Sequence, residues 1–246
     1  SYPGYDNNKL ANGVDAEYYA ALQEDNSNPL YNYATQEKTA PGSTFKMVTS
    51  TAGLAENVIT TGTTINCTGV FHDVSNEPKC WIYPGSHGAE TVSDAIGDSC
   101  NVFFYTTGFN LAAKDTGTYD DANGIAYIQK YASIYGLNQK TGIEIEENTP
   151  EIATEFPVMA AIGQSDNNFT TVSLSRYVTA VASGKLYNYQ LMSRIVDING
   201  NVIESYEPEY TDISDTLNAG QWDAIHSGMR MVVENLDSFE GFEIPV

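Results

Sequence analysis

Apolar positions recur at helical spacing in six stretches of the chain and at alternate positions in one. The first is VDAEYYAALQED, residues 14–25. In the second, APGSTFKMVTSTAGLAEN at residues 40–57, Phe45, Val48, Ala52 and Ala55 fall on one face of a helix whose first turn carries Ser43. VSDAIGDSCNVFFYTTGFNLA, NGIAYIQKYASIYGL, TTVSLSRYVTAVAS and AGQWDAIHSGMRMVVEN complete the set, with Gly184 closing the third of these. The alternating stretch is LMSRIVDINGNVIESYEP, where two runs flank Asn199 and Gly200 and predict a β-hairpin. Helices dominate, and one hairpin does not make a sheet. Any larger sheet is therefore expected to draw on sequence outside this chain. The opening SYPGYDNN and the connection NSNPLYNYATQEKTAPG are rich in turn residues, residues 60–91 read as irregular, and no internal repeat is evident.

The 246 residues, 41% of them hydrophobic, suffice for one large domain or two small ones. Eleven basic residues stand against 32 acidic ones, a net charge of −21 that repels nucleic acid and anionic membrane faces alike. No run of about 18 apolar residues is present, and the first residues have no signal-peptide pattern, so an anchor or export signal is expected outside this chain.

Against that acidity, the placement of Lys46 behind Ser43 is informative. On a helix, residues three apart share a face, so hydroxyl and amine can come within hydrogen-bond reach. A desolvated lysine there gives up its proton more readily and can activate the serine. The helix start also offers free backbone N–H groups and a positive dipole end to an oxyanion. An arbitrary S-x-x-K is most simply an N-cap serine and a solvated lysine. Here the motif is followed by Ser99, Cys100 and Asn101 in DAIGDSCNVFFY, the second element of acyl-serine enzymes.

The segments VDAEYYAALQEDNSNPLYNYATQEKTAPGSTFK, HGAETVSDAIGDSCNVFFY, YGLNQKTGIEIEE and AAIGQSDNNFTTVSLSRYVTAVASGKL together resemble the transpeptidase domain of class B penicillin-binding proteins, most like the elongation-type penicillin-binding protein 2 group. The resemblance implies an α+β fold of the penicillin-binding and serine β-lactamase kind. Residues 1–246 would be mainly its helical part, with central-sheet strands missing at both ends. It implies a peptidoglycan D,D-transpeptidase in which Ser43 is acylated by a stem peptide or a β-lactam and Lys46 takes the proton. Ser99 would relay protons, and Asn101 would hold peptide and lysine. It further implies work at the extracytoplasmic face of the bacterial membrane, anchored by a segment outside this chain and partnered by a membrane glycosyltransferase. A non-catalytic penicillin-binding sensor or scaffold and a β-lactamase are the competing readings. The intact Ser43, Lys46, Ser99 and Asn101 argue against the first, and the lack of a deacylating glutamate segment argues against the second.

The family's third motif, a K-T/S-G triplet on an edge strand, is expected shortly beyond Val246. The fragment alone is accordingly expected to be weakly active or inactive. Lys140, Thr141 and Gly142 have the right letters in the wrong order and context, and are rejected as catalytic.

Cys67, Cys80 and Cys100, with His87 among them, suit tetrahedral zinc, while a Cys67–Cys80 disulfide with Cys100 free fits the same residues. The resemblance favours zinc, because relatives hold a structural zinc through residues at these four places, with aspartate at the first two. Such a metal would fix the loop carrying Ser99 and Asn101. His72 and Asp73, the nearest rival ligands, read as surface loop residues, and His226 as structural or exposed.

Overall fold

The computed structural model describes residues 4–11 and 13–236. The chain opens with two short helices, α1 (Asn8–Ala11) and α2 (Ala16–Glu24), the second capped by the Asp15 side chain on the Tyr18 amide. A single turn, α3 (Tyr33–Gln36), leads through β1 (Lys38–Thr39) into a 3-10 turn (Gly42–Phe45) and the helix α4 (Lys46–Ala55). The expectation of one buried face understates this helix. Phe45, Val48, Ala52 and Leu54 are fully buried, and so are Thr49, Ser50 and Thr51 on the other side. The reason is position, since α4 meets α5, α6, α7 and α10 and is enclosed all round. Its polar side chains bond inward: Thr49 Oγ1 to the Ala161 carbonyl at 2.7 Å, Thr51 Oγ1 to the Tyr135 hydroxyl at 2.7 Å. Phe45 stacks on Phe169 at 6.0 Å, and a buried phenyl of this kind is worth about 3–5 kcal/mol against alanine.

Residues 60–91 are largely irregular, as expected, but contain β2 (Ile65–Cys67) paired antiparallel with β3 (Gly88–Glu90). The long periodic stretch that follows is two helices, α5 (Val92–Gly97) and α6 (Asn101–Ala113). Ser99 separates them, its φ of +53° in the left-handed region ending any continuous helix. Next come α7 (Asp121–Ile134), α8 (Pro157–Ala160), β4 (Phe169–Thr170), α9 (Thr171–Ser183) and β5 (Lys185–Tyr187). The predicted hairpin is β6 (Arg194–Val196) and β7 (Val202–Ser205), followed by β8 (Tyr210–Asp212) and α10 (Ala219–Asn235). Among the described residues there are four two-stranded sheets, β1 with β4, β2 with β3, β5 with β8 and β6 with β7. The expectation that no large sheet is built from this sequence holds for them. No helix of the described residues is long and apolar enough to cross a membrane. Residues 237–246, beyond which the K-T/S-G triplet is expected, lie outside the described residues.

α10 lies against α5 at a close crossing. A Cβ at Gly228 would come within 2.7 Å of Ile96 Cβ and the Ser93 carbonyl, so only glycine permits it. Ser93 Oγ donates to the Ala224 carbonyl across the same contact. His226 lies on this helix, where its Nε2 donates to the Val181 carbonyl at 2.9 Å and its ring stacks on Trp222, which bears out a structural role.

Candidate active site

The opening turn of α4 is held from two sides. The Gly42 amide donates to the Gly163 carbonyl at 3.1 Å, and Tyr177, fully buried, donates its hydroxyl to the Thr44 carbonyl at 2.8 Å. Gly163, at φ +73°, permits the approach, for a Cβ there would stand 2.1 Å from the Gly42 carbonyl oxygen. Ser43 is left exposed on this fixed turn, while Lys46, one turn on, is 1% exposed.

The Lys46 amine makes three hydrogen bonds: to the Ser99 carbonyl at 2.8 Å, to Ser99 Oγ at 3.0 Å and to Asn101 Oδ1 at 2.8 Å. It lies 5.3 Å from the Phe104 ring centroid. Ser99 Oγ in turn donates to Ser43 Oγ at 2.9 Å. Ser43, Lys46, Ser99 and Asn101 thus meet at one place, but the link between the Lys46 amine and the Ser43 hydroxyl runs through Ser99. The physical reason is donor number. An ammonium has three N–H groups, and the bend at Ser99 presents a free carbonyl, a hydroxyl and the Asn101 amide oxygen to all three. Burial lowers the Lys46 pKa to about 8, against the raising influence of Cys100 and Cys80, and so keeps the neutral base within reach of physiological pH.

Cys67, Cys80, His87 and Cys100 converge directly behind this bend, with one donor atom from each within 4.8 Å of all the others. β2 supplies Cys67, the turn-rich segment Cys80, the residue before β3 His87, and the N-cap of α6 Cys100. Cys80 Sγ is 3.6 Å from His87 Nδ1. A tetrahedral zinc with Zn–S of about 2.3 Å and Zn–N of about 2.0–2.1 Å has donor–donor edges close to this. All three cysteines are buried free thiols, so the Cys67–Cys80 disulfide is not formed. The surroundings favour a thiolate. The Cys100 thiol hydrogen-bonded to Cys80, followed by the Ile82, Val102 and Asn101 amides, holds the Cys80 pKa down to about 4 against burial. The same contact with Cys80 pushes the Cys100 thiol up. His87 Nε2 is buried with no partner in the protein. Three soft sulfurs and one imidazole at these spacings fit a zinc ion.

The two clusters share a backbone. The Asn101 amide donates to Cys80 Sγ at 3.3 Å while its side chain accepts from Lys46. His72 stays at the surface, 2.9 Å from Glu77. Lys140, Thr141 and Gly142 lie in a loop away from Ser43. There the Lys140 carbonyl accepts from Arg176, and Thr141 bonds the buried Glu147 carboxylate through its amide and hydroxyl, both at 2.9 Å. Nothing in the sequence pattern singles out Gly163 or Tyr177, since each acts through tertiary contact with the turn it holds.

The family model for the penicillin binding protein transpeptidase domain matches residues 1–241. The peptidoglycan D,D-transpeptidase MrdA of Haemophilus influenzae is 30% identical over 95% of this chain and 36% of its own length. The D,D-transpeptidase PbpA of Mycobacterium tuberculosis is 28% identical over 75% of this chain and 37% of its own. Among solved structures, penicillin-binding protein 2 of Helicobacter pylori superposes with a TM-score of 0.77 at 23% identity, covering 99% of this chain and 46% of that one. Penicillin-binding protein A of M. tuberculosis, as an imipenem acyl-enzyme, gives 0.80 at 19%, covering 99% and 55%. The chain spans about a third of the length of these curated relatives. With the matched region running through nearly all of it, the chain belongs to the penicillin-binding protein transpeptidase domain family.

Proposed function

We propose that the protein is the acyl-transfer domain of a peptidoglycan D,D-transpeptidase of the elongation type, with Ser43 as nucleophile. The observation that carries this is the chain Lys46 Nζ–Ser99 Oγ–Ser43 Oγ, at 3.0 and 2.9 Å, ending on an exposed hydroxyl. Ser43 Oγ attacks the carbonyl of the D-Ala-D-Ala bond, and its proton passes by way of Ser99 Oγ to the neutral Lys46 amine. The C–N bond then breaks, and the departing D-Ala amine takes its proton back along the same path. An amine of a neighbouring stem peptide attacks the ester, loses a proton to the same base and frees Ser43. A β-lactam enters by the first step, its ring C–N bond breaking while the leaving group stays tethered. Asn101, fixed by Lys46 on one side and Cys80 on the other, is set to bond the bound peptide.

We infer that Cys67, Cys80, His87 and Cys100 hold a structural zinc. These four residues would hold it, and it would supply a cross-link between the irregular segment and the start of α6, with no part in bond making. The relatives' names support action on peptidoglycan, and the reading places that work at the extracytoplasmic face of the bacterial membrane. A chain of a solved peptidoglycan synthase complex that coordinates polymerization and crosslinking is 26% identical to this chain, which supports a polymerising enzyme, read here as a membrane glycosyltransferase, as partner.

Incubation of the complete protein with a labelled penicillin, followed by peptide mass spectrometry, tests the reading. A long-lived, one-to-one adduct on Ser43, absent from Ser43→Ala, is expected. Rapid turnover of the adduct would make the protein a β-lactamase, and no adduct would make it a non-catalytic member.

A further inference from the structure

Trp81 follows the buried Cys80 directly, yet is itself 62% exposed. An indole so placed gains little from burial, so its position calls for another cause. Its Nε1–H donates to the Asp98 carbonyl at 3.0 Å, and its ring packs against His87 with centroids 5.5 Å apart at 57°.

The bond falls on the break between α5 and α6. There the amides of Asp98, Ser99 and Cys100 all turn back into α5, to the carbonyls of Asp94, Ile96 and Ala95 at 2.8, 3.2 and 2.9 Å. The carbonyls of Asp98 and Ser99 face the other way. Two side chains take them: Trp81 the first, Lys46 the second. Between these anchors Ser99 adopts φ +53°, a left-handed conformation that is strained for a non-glycine residue and needs external support. That turn is what puts Ser99 Oγ between the amine and Ser43.

We propose that Trp81 is a positioning residue for acylation. Its indole N–H holds the Asp98 carbonyl, and so fixes the left-handed turn that aims Ser99 Oγ, while its ring ties that turn to His87. Trp81 touches neither the nucleophile nor the base; it acts through the backbone of the break. This inference rests on Ser43 being the acylated residue.

The test replaces residue 81 of the complete protein in three ways: Trp81→Phe, benzothienylalanine, which keeps the ring shape but carries sulfur for N–H, and 5-fluorotryptophan, which keeps the N–H. Stopped-flow acylation by a penicillin separates the binding constant from the acylation rate constant, with bound zinc and melting temperature measured alongside. Loss of one hydrogen bond of ordinary net strength corresponds to about fivefold in rate. The expected result is a fall of about that size in the acylation rate constant for Trp81→Phe and the benzothiophene protein. Binding constant, zinc content and melting temperature should stay unchanged, and the fluorotryptophan protein should stay near wild type. An unchanged rate in the benzothiophene protein overturns the proposal. So does an equal fall in the fluorotryptophan protein, or a fall matched by loss of zinc. Failure of the unaltered protein to acylate would instead sink the reading of Ser43 itself, and the proposal with it.

Discussion

The two strands of backbone that meet at Ser43 are held in place by opposite means. α4 is fixed by enclosure, with apolar and small polar side chains packed on every side and its opening turn clamped by Gly163 and Tyr177. The segment that brings Ser99 has short strands, many turns and a left-handed serine, and its order rests on a few specific bonds to Lys46, Trp81 and the cysteine cluster. A nucleophile needs a rigid seat, which packing provides. A relay group needs an exact direction, which discrete bonds provide at a smaller cost in buried area.

Of the two sides, the larger expected effect comes from breaking the second alone. Chelation of the proposed zinc, or Cys100→Ser, should release the segment of residues 65–100 while leaving α4 folded. Acylation is expected to fall by about 10–100-fold, the usual cost of disturbing groups that orient a site. Hydrogen exchange should rise in the amides of that segment and not in α4. Equal loss of protection in both would show that the two sides are one cooperative unit, and the contrast would fail.

A smaller effect should come from loosening the first side at its far end. Glu56, at the C-cap of α4, accepts from Lys114, Lys130 and Tyr131 at 2.5, 2.6 and 2.8 Å, joining α4 to α6 and α7. Burial works to raise its pKa, but these bonds outweigh it and hold the value down to about 2 from an ordinary 4.5. The folded-state value is depressed, so this stabilisation is fully present above about pH 4.5 and is lost as pH falls toward 2. Glu56→Gln is expected to cost about 2 kcal/mol at neutral pH, the scale of hydrogen bonds to a charged group, read by denaturant unfolding. The variant should also lose part of the acid sensitivity between those two pH values. Acylation by penicillin should change little, since the seat of Ser43 is clamped at the other end.

The same contrast explains what could be read before the structure. The helices and the hairpin were legible because their signals are local: period in α7 and α9, and Asn199-Gly200 between β6 and β7. The convergence of Ser43, Lys46, Ser99 and Asn101 was legible through motif order. The cysteine and histidine set was legible through composition. The break at Ser99 was not, because the periodicity of residues 92–112 runs straight across it and the cause lies in Lys46 and Trp81, distant in sequence. The β1–β4, β2–β3 and β5–β8 pairs are two or three residues long, too short to carry an alternating pattern. The relayed contact between Lys46 and Ser43 was also out of reach, since helical spacing brings the two side chains to one face without saying what stands between them.

The central claim is that a buried Lys46, working through Ser99, takes the proton of Ser43. The most direct test is the rate of Ser43 acylation by a penicillin, followed from pH 6 to pH 10 in the complete protein and in Lys46→Met. Because burial depresses the Lys46 pKa to about 8 and only the neutral amine can accept a proton, the rate should climb through about pH 8 and level off above it. In Lys46→Met the climb should vanish and the plateau should drop by about 10²–10⁴-fold. A flat profile in the unaltered protein, or an unchanged climb in Lys46→Met, would contradict the claim.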